Sequence, residues 1–93
     1  MDHVHFTLFI AGPSPRSRAA EANLRALCAA RLPERAAVTV VDVTTDVAEA
    51  ERWRILTTPT VVKDSPPPAR RVTGDLSDAD RLWALLDVER DVA

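Results

Sequence analysis

Apolar and polar residues alternate along the first ten positions of the chain. One face of this segment carries, at a period of two, Val4, Phe6, Leu8 and Ile10. Such alternation predicts a largely buried β-strand from His3 to Ile10. Ser14 followed by Pro15 provides a helix N-cap and a proline at the first helical position, which predicts a helix that runs to about Leu32.

The first helix should present one apolar stripe to the core. The stripe consists of Ala20, Leu24, Leu27 and Cys28. The segment 38–43 is then a nearly continuous β-branched run, which is typical of a central parallel strand covered on both faces. Strand, helix and strand at this spacing predict a right-handed βαβ unit.

The second half of the chain predicts a short helix followed by two strands. Asp46 can cap a helix through Val47, Ala50 and Ile55, which must end before Pro59 because the residue preceding a proline disfavours the α region. Strands are expected at residues 60–63 and 69–73, paired as an antiparallel hairpin across a proline-rich connection.

A final helix is expected after these two strands. Ser77 is the predicted N-cap, with Asp78 and Asp80 in the first turn. Its apolar face is Ala79, Leu82, Trp83 and Leu86. The resulting order, βαβαββα, predicts a single α/β domain over residues 1–93 with a thioredoxin-like, central four-stranded mixed sheet.

Length, composition and net charge exclude several classes of function. At 93 residues, with 46% hydrophobic and 28% charged residues, the chain fits one globular domain. A net charge of -2 offers no excess of positive charge to hold a nucleic acid. The segment before Ala11 lacks the basic region and cleavage site of a signal peptide, and no apolar run is long enough for a membrane span, so we expect a cytoplasmic protein without a membrane or nucleic-acid partner.

The sequence offers little for catalysis. Cys28 is the single cysteine, so an internal disulfide and a two-cysteine redox cycle are both excluded, and its place on the apolar stripe indicates a core residue. His3 and His5 share a strand face but supply only two of the four ligands of a structural zinc site. With Gly12 and Gly74 as the only glycines, a phosphate-binding loop is not indicated. We expect no catalytic, metal or cofactor-binding residue and no enzymatic activity.

Pro59 lies between the second helix and the third strand, where thioredoxin-like proteins place a proline after a cis peptide bond. The base rate favours trans, and the sequence leaves both isomers open. In a redox enzyme this proline faces a Cys-x-x-Cys motif at the start of the first helix. Here the segment 13–17 reads Pro-Ser-Pro-Arg-Ser and contains no thiol.

Arginine and tryptophan are the candidates for partner binding. The candidate residues are Arg16, Trp53, Arg54, Arg70 and Arg71. One interpretation is a solvated surface; the other is a protein interface, since the planar guanidinium makes bidentate bonds to carboxylates. Trp53 can be partly exposed and provide an apolar anchor for a partner, whereas Trp83 is expected in the core.

Four stretches together resemble one known family. They are residues 8–17, 41–43, 55–60 and 66–78, the last reading Pro-Pro-Pro-Ala-Arg-Arg-Val-Thr-Gly-Asp-Leu-Ser-Asp. They are similar to the KaiB family of bacterial circadian clock proteins, over nearly the whole chain. The resemblance implies a non-enzymatic protein, without cofactors, that binds the ATPase ring of KaiC and regulates its phosphorylation cycle.

The resemblance also implies a change of fold. Members of the family have a KaiB-specific fold that assembles into tetramers and a thioredoxin-like fold that binds KaiC as a monomer, so a monomer, dimer or tetramer is possible. Positions implied as structural or switch residues are Gly12, Pro59, Pro66, Pro67, Pro68, Gly74 and Asp75. We expect the thioredoxin-like state to be the more populated one, because the local signals around Asp46 and Ser77 agree with it.

Departures from the cyanobacterial pattern leave alternatives open. Pro13 and Arg16 stand where those proteins usually have asparagine, and Trp53 with Arg54 replaces an acidic-lysine pair. The chain can belong to a branch that works with a KaiC homologue without a KaiA-like partner. It can also be a sensor or adaptor resembling the KaiB-like domain of clock histidine kinases, or a degenerate thioredoxin-like redox protein.

Overall fold

The computed structural model describes residues 3–74 and 76–88. Its elements are β1 (Val4–Ile10), α1 (Pro15–Arg31), β2 (Ala36–Asp42), α2 (Val47–Arg52), β3 (Thr60–Ser65), β4 (Arg70–Thr73) and α3 (Ala79–Leu86). This is the predicted order of elements. The strands form one four-stranded mixed sheet in the order β2-β1-β3-β4, with β2 parallel to β1 and both β1–β3 and β3–β4 antiparallel. The expected α/β class is confirmed.

Strand β1 is central and has apolar side chains on both faces. Phe6 and Leu8 point to one face and belong to the larger core cluster, which includes the buried residues of α1 and α3. Phe9 points to the other face and joins Val41 and Val62, against which Trp53 packs. Because its side chains alternate between the two faces, β1 packs against helices on both sides of the sheet.

Helix α1 begins and packs as its sequence predicts. The Ser14 side chain accepts a hydrogen bond from the amide of Ser17 at 3.0 Å, and Pro15 occupies the first turn. The predicted stripe is buried over its whole length: Ala20, Leu24, Leu27 and Cys28. This stripe attaches α1 to the face of the sheet that carries Phe6 and Leu8.

Strand β2 is at an edge of the sheet, so the expectation of a central strand over 38–43 was wrong. It pairs only with β1, and the side chains of Ala37 and Thr39 are exposed. β-branched residues favour any pleated, half-buried surface, and that preference does not distinguish an edge from a centre. The predicted βαβ unit itself is present, with β1 in the central position.

Helix α2 is shorter than predicted. Asp46 is its N-cap, accepting from the amide of Glu49 at 3.2 Å, but the helix ends at Arg52 and does not continue to Ile55. Arg54 has a left-handed backbone with φ of 53°, which reverses the chain and places Ile55 against Phe9 and its neighbours from outside the helix.

The cap of α3 also differs from its prediction. Asp78 accepts from the amide of Arg81 at 3.1 Å and is the N-cap, so the assignment to Ser77 was wrong by one residue. Serine and aspartate cap equally well, and the sequence alone did not decide between neighbours. Trp83 is in the core, as expected, with 8% of its surface exposed.

The predicted hairpin of β3 and β4 is confirmed, although β3 extends to Ser65. Its connection contains Pro66, Pro67 and Pro68, and the bonds before Pro66, Pro68 and Pro59 are cis. Lys63 is fully buried, and its Nζ donates to the carbonyl of Pro66 at 3.0 Å. A buried ammonium requires such partners, so Lys63 fixes the start of the connection to the sheet.

Among the three helices of the described ranges, none combines the length and apolar character needed to cross a lipid bilayer.

The cap assignment can be tested by substitution at Asp78. Asp78→Ala should lower the free energy of unfolding by about 1 kcal/mol. Asp78→Asn retains a capping oxygen and should lower it by less than about 0.5 kcal/mol. Urea unfolding followed by circular dichroism measures both. Equal losses for the two variants would contradict the assignment.

Candidate functional site

An exposed apolar surface lies at the end of α2. Leu56 is 93% exposed and Val47 is 54% exposed, and both line one groove, so they form a contiguous apolar surface and not isolated exposed residues. A groove of about 550 Å³ connects them. Its lining, which we call the α2 patch, consists of Val43, Val47, Ala50, Glu51, Arg54, Ile55 and Leu56.

The backbone at the end of α2 explains why this surface is exposed. Trp53 terminates the helix, and its indole Nε1 donates to the Glu49 carboxylate at 3.1 Å. The left-handed conformation of Arg54 then turns the chain, so that Ile55 faces the core while Leu56 points to solvent. The patch is therefore fixed by the chain reversal at Arg54 and by the packing of Trp53.

Arg71 links the hairpin to the α2 patch. Its Nη2 donates to the Trp53 carbonyl at 2.7 Å, and its partner in the β3–β4 register is Val62, which packs with Trp53. A guanidinium at the last carbonyls of a helix is electrostatically favourable. Arg54 and Glu51 are exposed and both line the groove, so its wall contains one positive and one negative side chain.

The other two arginines named from the sequence lie elsewhere. Neighbouring strand residues point to opposite faces, so Arg70 is on the α3 side, where its Nη2 is 3.3 Å from Oδ2 of Asp87. Arg16 lines a different groove, of about 330 Å³, that also includes Pro59. The structure thus brings together Trp53, Arg54 and Arg71, and it separates Arg16 and Arg70 from them. A role in partner binding stays a prediction for each.

Gly12 belongs to a polar junction between the loops after β1 and β2. It has φ of 67°, which favours glycine, and its amide donates to Oδ1 of Asp42 at 3.0 Å. The same oxygen accepts from the hydroxyl of Thr44 at 2.6 Å and from its amide at 2.9 Å. These bonds, first of all those from Thr44, hold the pKa of Asp42 below its ordinary value.

Gly74 and Pro59 meet at the other loop cluster. Gly74 has φ of 98°, and its amide donates to the carbonyl of Pro59 at 3.0 Å, which ties the end of β4 to the start of β3. The prolines at 66–68 lie at the opposite end of this hairpin. Asp75 lies outside the described residues. A part for these positions in a change of fold stays a prediction.

Sequence reasoning missed Leu56 and Val47. Val47 was expected only as part of the helix through Val47, Ala50 and Ile55; it is at the first helical position and 54% exposed. Leu56 belonged to no predicted stripe or strand. A large apolar residue that fits no buried pattern, next to a tryptophan and two arginines, was the signal that could have identified the patch.

A polar cluster occupies the part of the sheet that α2 does not cover. His5 contacts Oδ1 of Asp64 through Nδ1 at 2.6 Å and the hydroxyl of Thr39 through Nε2 at 2.8 Å, while Thr7 donates to Oδ2 of Asp64 at 3.0 Å. These bonds join β1, β2 and β3 across the sheet. No group of three or more potential metal ligands occurs within residues 3–74 and 76–88.

Cys28 lies on the buried face of α1, in the larger core cluster. Burial raises the pKa of its thiol to about 11, an effect that the nearby Arg25 charge only partly opposes. A thiol with this pKa is protonated at neutral pH and is a poor nucleophile.

Comparison with known proteins assigns the family. The model of the KaiB domain matches residues 7–88. The chain belongs to the KaiB family. Among KaiB relatives, the circadian clock protein KaiB3 of Synechocystis sp. is 35% identical over 88 residues, which is 95% of this chain and 86% of that protein. The circadian clock oscillator protein KaiB of Prochlorococcus marinus is 41% identical over 81 residues, 87% of this chain and 69% of the relative.

The structural neighbours of this KaiB-family chain establish its fold. The N-terminal domain of SasA from Synechococcus elongatus superposes with a TM-score of 0.77 at 22% identity, over 94% of this chain and 82% of that domain. Chloroplastic thioredoxin z superposes with a TM-score of 0.72 at 25% identity, over 96% and 80%. The predicted thioredoxin-like fold is confirmed, and the KaiB-specific alternative is not the fold of this structure.

The Asp42 junction predicts a pH dependence of stability. Because the folded pKa of Asp42 is lowered, the carboxylate stabilises the fold above the unfolded pKa, and this contribution is lost as pH falls through the folded pKa. Asp42→Asn retains an acceptor for Gly12 but removes the charge. Urea unfolding from about pH 7 to about pH 2 should show the wild type losing more stability than Asp42→Asn.

The matched control is Glu21→Gln, which removes an exposed carboxylate that pairs with Arg25 on the surface of α1. The free energy of unfolding of Glu21→Gln should change with pH in the same way as that of the wild type over this range. Parallel curves for Asp42→Asn and the wild type would show that the bonds from Gly12 and Thr44 do not favour the ionised carboxyl.

Burial of Cys28 predicts slow alkylation of the folded protein. The rate with iodoacetamide should rise about tenfold per pH unit toward pH 11, because only the thiolate reacts. Mass spectrometry follows the reaction, and the chain unfolded in about 6 M guanidinium gives the rate of an ordinary cysteine. Rapid modification of the folded chain at neutral pH would revive the redox alternative.

Proposed function

We propose that this chain is a non-catalytic regulatory protein that docks through the α2 patch on a KaiC-type ATPase ring and modulates its phosphorylation and ATPase cycle. The single observation that carries the proposal is the α2 patch itself, an exposed apolar groove on a member of the KaiB family. Such a surface is costly to leave in water unless a partner covers it. The thioredoxin-like fold is the state expected to bind the ring.

The chemistry of the patch defines what a partner must present. Leu56, exposed over 93% of its surface, is an apolar anchor for a partner pocket. Arg54 lines the groove, and Arg71 binds the carbonyl of the preceding residue, Trp53; both guanidinium groups favour carboxylates at the rim of the partner surface. We therefore expect an apolar pocket on the ring with acidic residues beside it.

Two features support a role without catalysis. The start of α1, where a redox enzyme of this fold would have its thiols, reads Ser-Pro-Arg-Ser at residues 14–17, and the chain has one cysteine. That cysteine is buried, with a raised pKa. A degenerate redox function therefore has no accessible nucleophile to use.

A sensor or adaptor role is the second candidate function. The specific observation in its favour is the superposition with the N-terminal domain of SasA, whose TM-score is 0.77. At 22% identity this similarity concerns the fold alone. The two functions differ in output, because a regulator changes the activity of the ring, whereas an adaptor connects the ring to a kinase.

Size-exclusion chromatography with the KaiC-type ATPase of the same organism, in ATP and in ADP, tests the proposal. The wild-type chain should co-elute with the ring in at least one nucleotide and change its rate of ATP hydrolysis. Leu56→Asp should weaken binding by tenfold or more, since burying a carboxylate in an apolar pocket costs more than about 1.4 kcal/mol. Arg71→Ala should weaken it by a smaller factor.

Leu85→Asp is the matched control for Leu56→Asp. Leu85 is an exposed leucine, at 48%, on α3 and therefore on the opposite side of the sheet. Its variant should bind as the wild type does. Absence of co-elution in both nucleotides, or loss of binding in Leu85→Asp with binding retained in Leu56→Asp, would overturn the proposal. Co-elution without any change in ATP hydrolysis would favour the adaptor.

A further inference from the structure

Three members of the polar cluster on the sheet form a hydrogen-bonded chain from a carboxyl group through an imidazole to a hydroxyl. Oδ1 of Asp64 is 2.6 Å from Nδ1 of His5, and Nε2 of His5 is 2.8 Å from the hydroxyl oxygen of Thr39. Because a carboxylate only accepts hydrogen bonds, Nδ1 donates to Asp64 and Nε2 accepts from Thr39. An orienting carboxylate, a base and a hydroxyl in this order are the groups that activate a hydroxyl nucleophile.

The backbone and a second hydroxyl fix the carboxylate end of this chain. In the β1–β3 register, His5 pairs with Ser65, and the next residue of β1 pairs with Lys63. Asp64 is therefore an extra residue in β3, a β-bulge of the kind that re-aims a side chain. Thr7, which is 4% exposed, donates to Oδ2 of Asp64 at 3.0 Å. Both carboxylate oxygens thus have a partner, and the imidazole of His5 is held in one orientation.

The hydroxyl lies at the accessible end of the chain. The side chains of Asp64 and His5 are 21% and 33% exposed, so both are largely covered. Thr39, in contrast, is exposed on β2, an edge strand. Ala37, its neighbour on the same face of β2, is small and also exposed. A reagent can therefore reach the Thr39 hydroxyl from solvent while the base stays in place.

The backbone after Thr39 provides a donor for negative charge on an attacked carbonyl. The amide of Val43 donates to the carbonyl of Ile10, and a parallel ladder uses alternate residues, so the odd-numbered residues of β2 face β1. The amide of Val40 therefore points away from the sheet at its open edge. A backbone N–H next to the nucleophile is a common donor to the oxyanion of acyl transfer.

We propose that Thr39 is an acylation site that takes an acyl group from a thioester, with His5 as general base and Asp64 as positioning residue. The Thr39 oxygen attacks the thioester carbonyl carbon, and its proton passes to Nε2 of His5. The carbon–sulfur bond then breaks, and the leaving thiolate takes the proton from His5. The products are an ester on Thr39 and a free thiol, so the reaction needs no oxidant and no further reactant.

A thioester fits this site better than an amide or an alkyl ester. Thr39 lies on an open sheet surface, and the amide of Val40 is one donor, which stabilises less charge than the paired donors of hydrolytic enzymes. The acyl donor must therefore bring a good leaving group, as a thiolate is. One acyl group is transferred to one side chain, so the reaction is a modification of the protein and is compatible with a regulatory role.

Treatment of the purified chain with excess S-phenyl thioacetate, followed by acid quench, proteolysis and mass spectrometry, tests the proposal. The wild type should gain an acetyl ester at Thr39, which hydroxylamine removes because it cleaves esters and leaves amides intact. His5→Gln should slow this acetylation by at least about tenfold, since a positioned general base contributes about 10²–10⁴-fold. Asp64→Asn should also slow it, because an amide no longer holds His5 in the required tautomer.

His3→Gln is the matched control. His3 is an exposed histidine two residues before His5, and its variant should be acetylated at the wild-type rate.

Two substitutions at position 39 separate the hydroxyl from its surroundings. Thr39→Ser keeps the nucleophile and should form the ester, whereas Thr39→Val keeps the shape and should not. Thermal melting followed by circular dichroism shows whether each variant is folded. Absence of an ester at position 39 in the wild type, or equal rates in the wild type and a folded His5→Gln or Asp64→Asn variant, would overturn the proposal and leave the cluster as a brace between strands.

Discussion

Burial of β1 on both faces is the constraint on which the rest of the structure depends. Val4, Phe6, Leu8 and Phe9 have at most 1% of their surface exposed. Because the side chains alternate between the two faces, the strand needs a hydrophobic layer above and below. It pairs with β2 over its whole length and with β3 from His5 to Phe9. Helices α1 and α3 supply one layer, and α2 with the segment after it supplies the other.

The two helical layers differ in size, and this difference determines which parts of the second face stay exposed. Helix α1, with 17 residues, and α3, with 8, cover one face. Helix α2 has 6 residues and covers only the end of the other face near Phe9. The remaining sheet surface is therefore polar, with His5, Thr39 and Asp64 linked by hydrogen bonds. At the other end, the turn that terminates α2 leaves Leu56 in solvent.

Much of the fold followed from local signals, because periodicity and capping are properties of neighbouring residues. The stripe of α1, the Asp46 cap and the β3–β4 hairpin are of this kind. The position of β2 at an edge was not predictable, since strand order is decided by pairings distant in sequence. The candidate site was predicted in part: Trp53, Arg54 and Arg71 meet, but Arg70 is on the opposite face, and no local pattern identified the exposure of Leu56.

The thioredoxin-like fold of this chain does not depend on cysteines at the start of α1. Helix α1 begins at the Ser14 cap, and the bond from Gly12 to Asp42 fixes the loop before it. The contacts that determine the end of α2 come instead from Trp53 and Arg71. Since those contacts lie on the opposite side of the sheet from α1, side chains on the surface near α2 can change without disturbing the core that α1 and α3 form with β1.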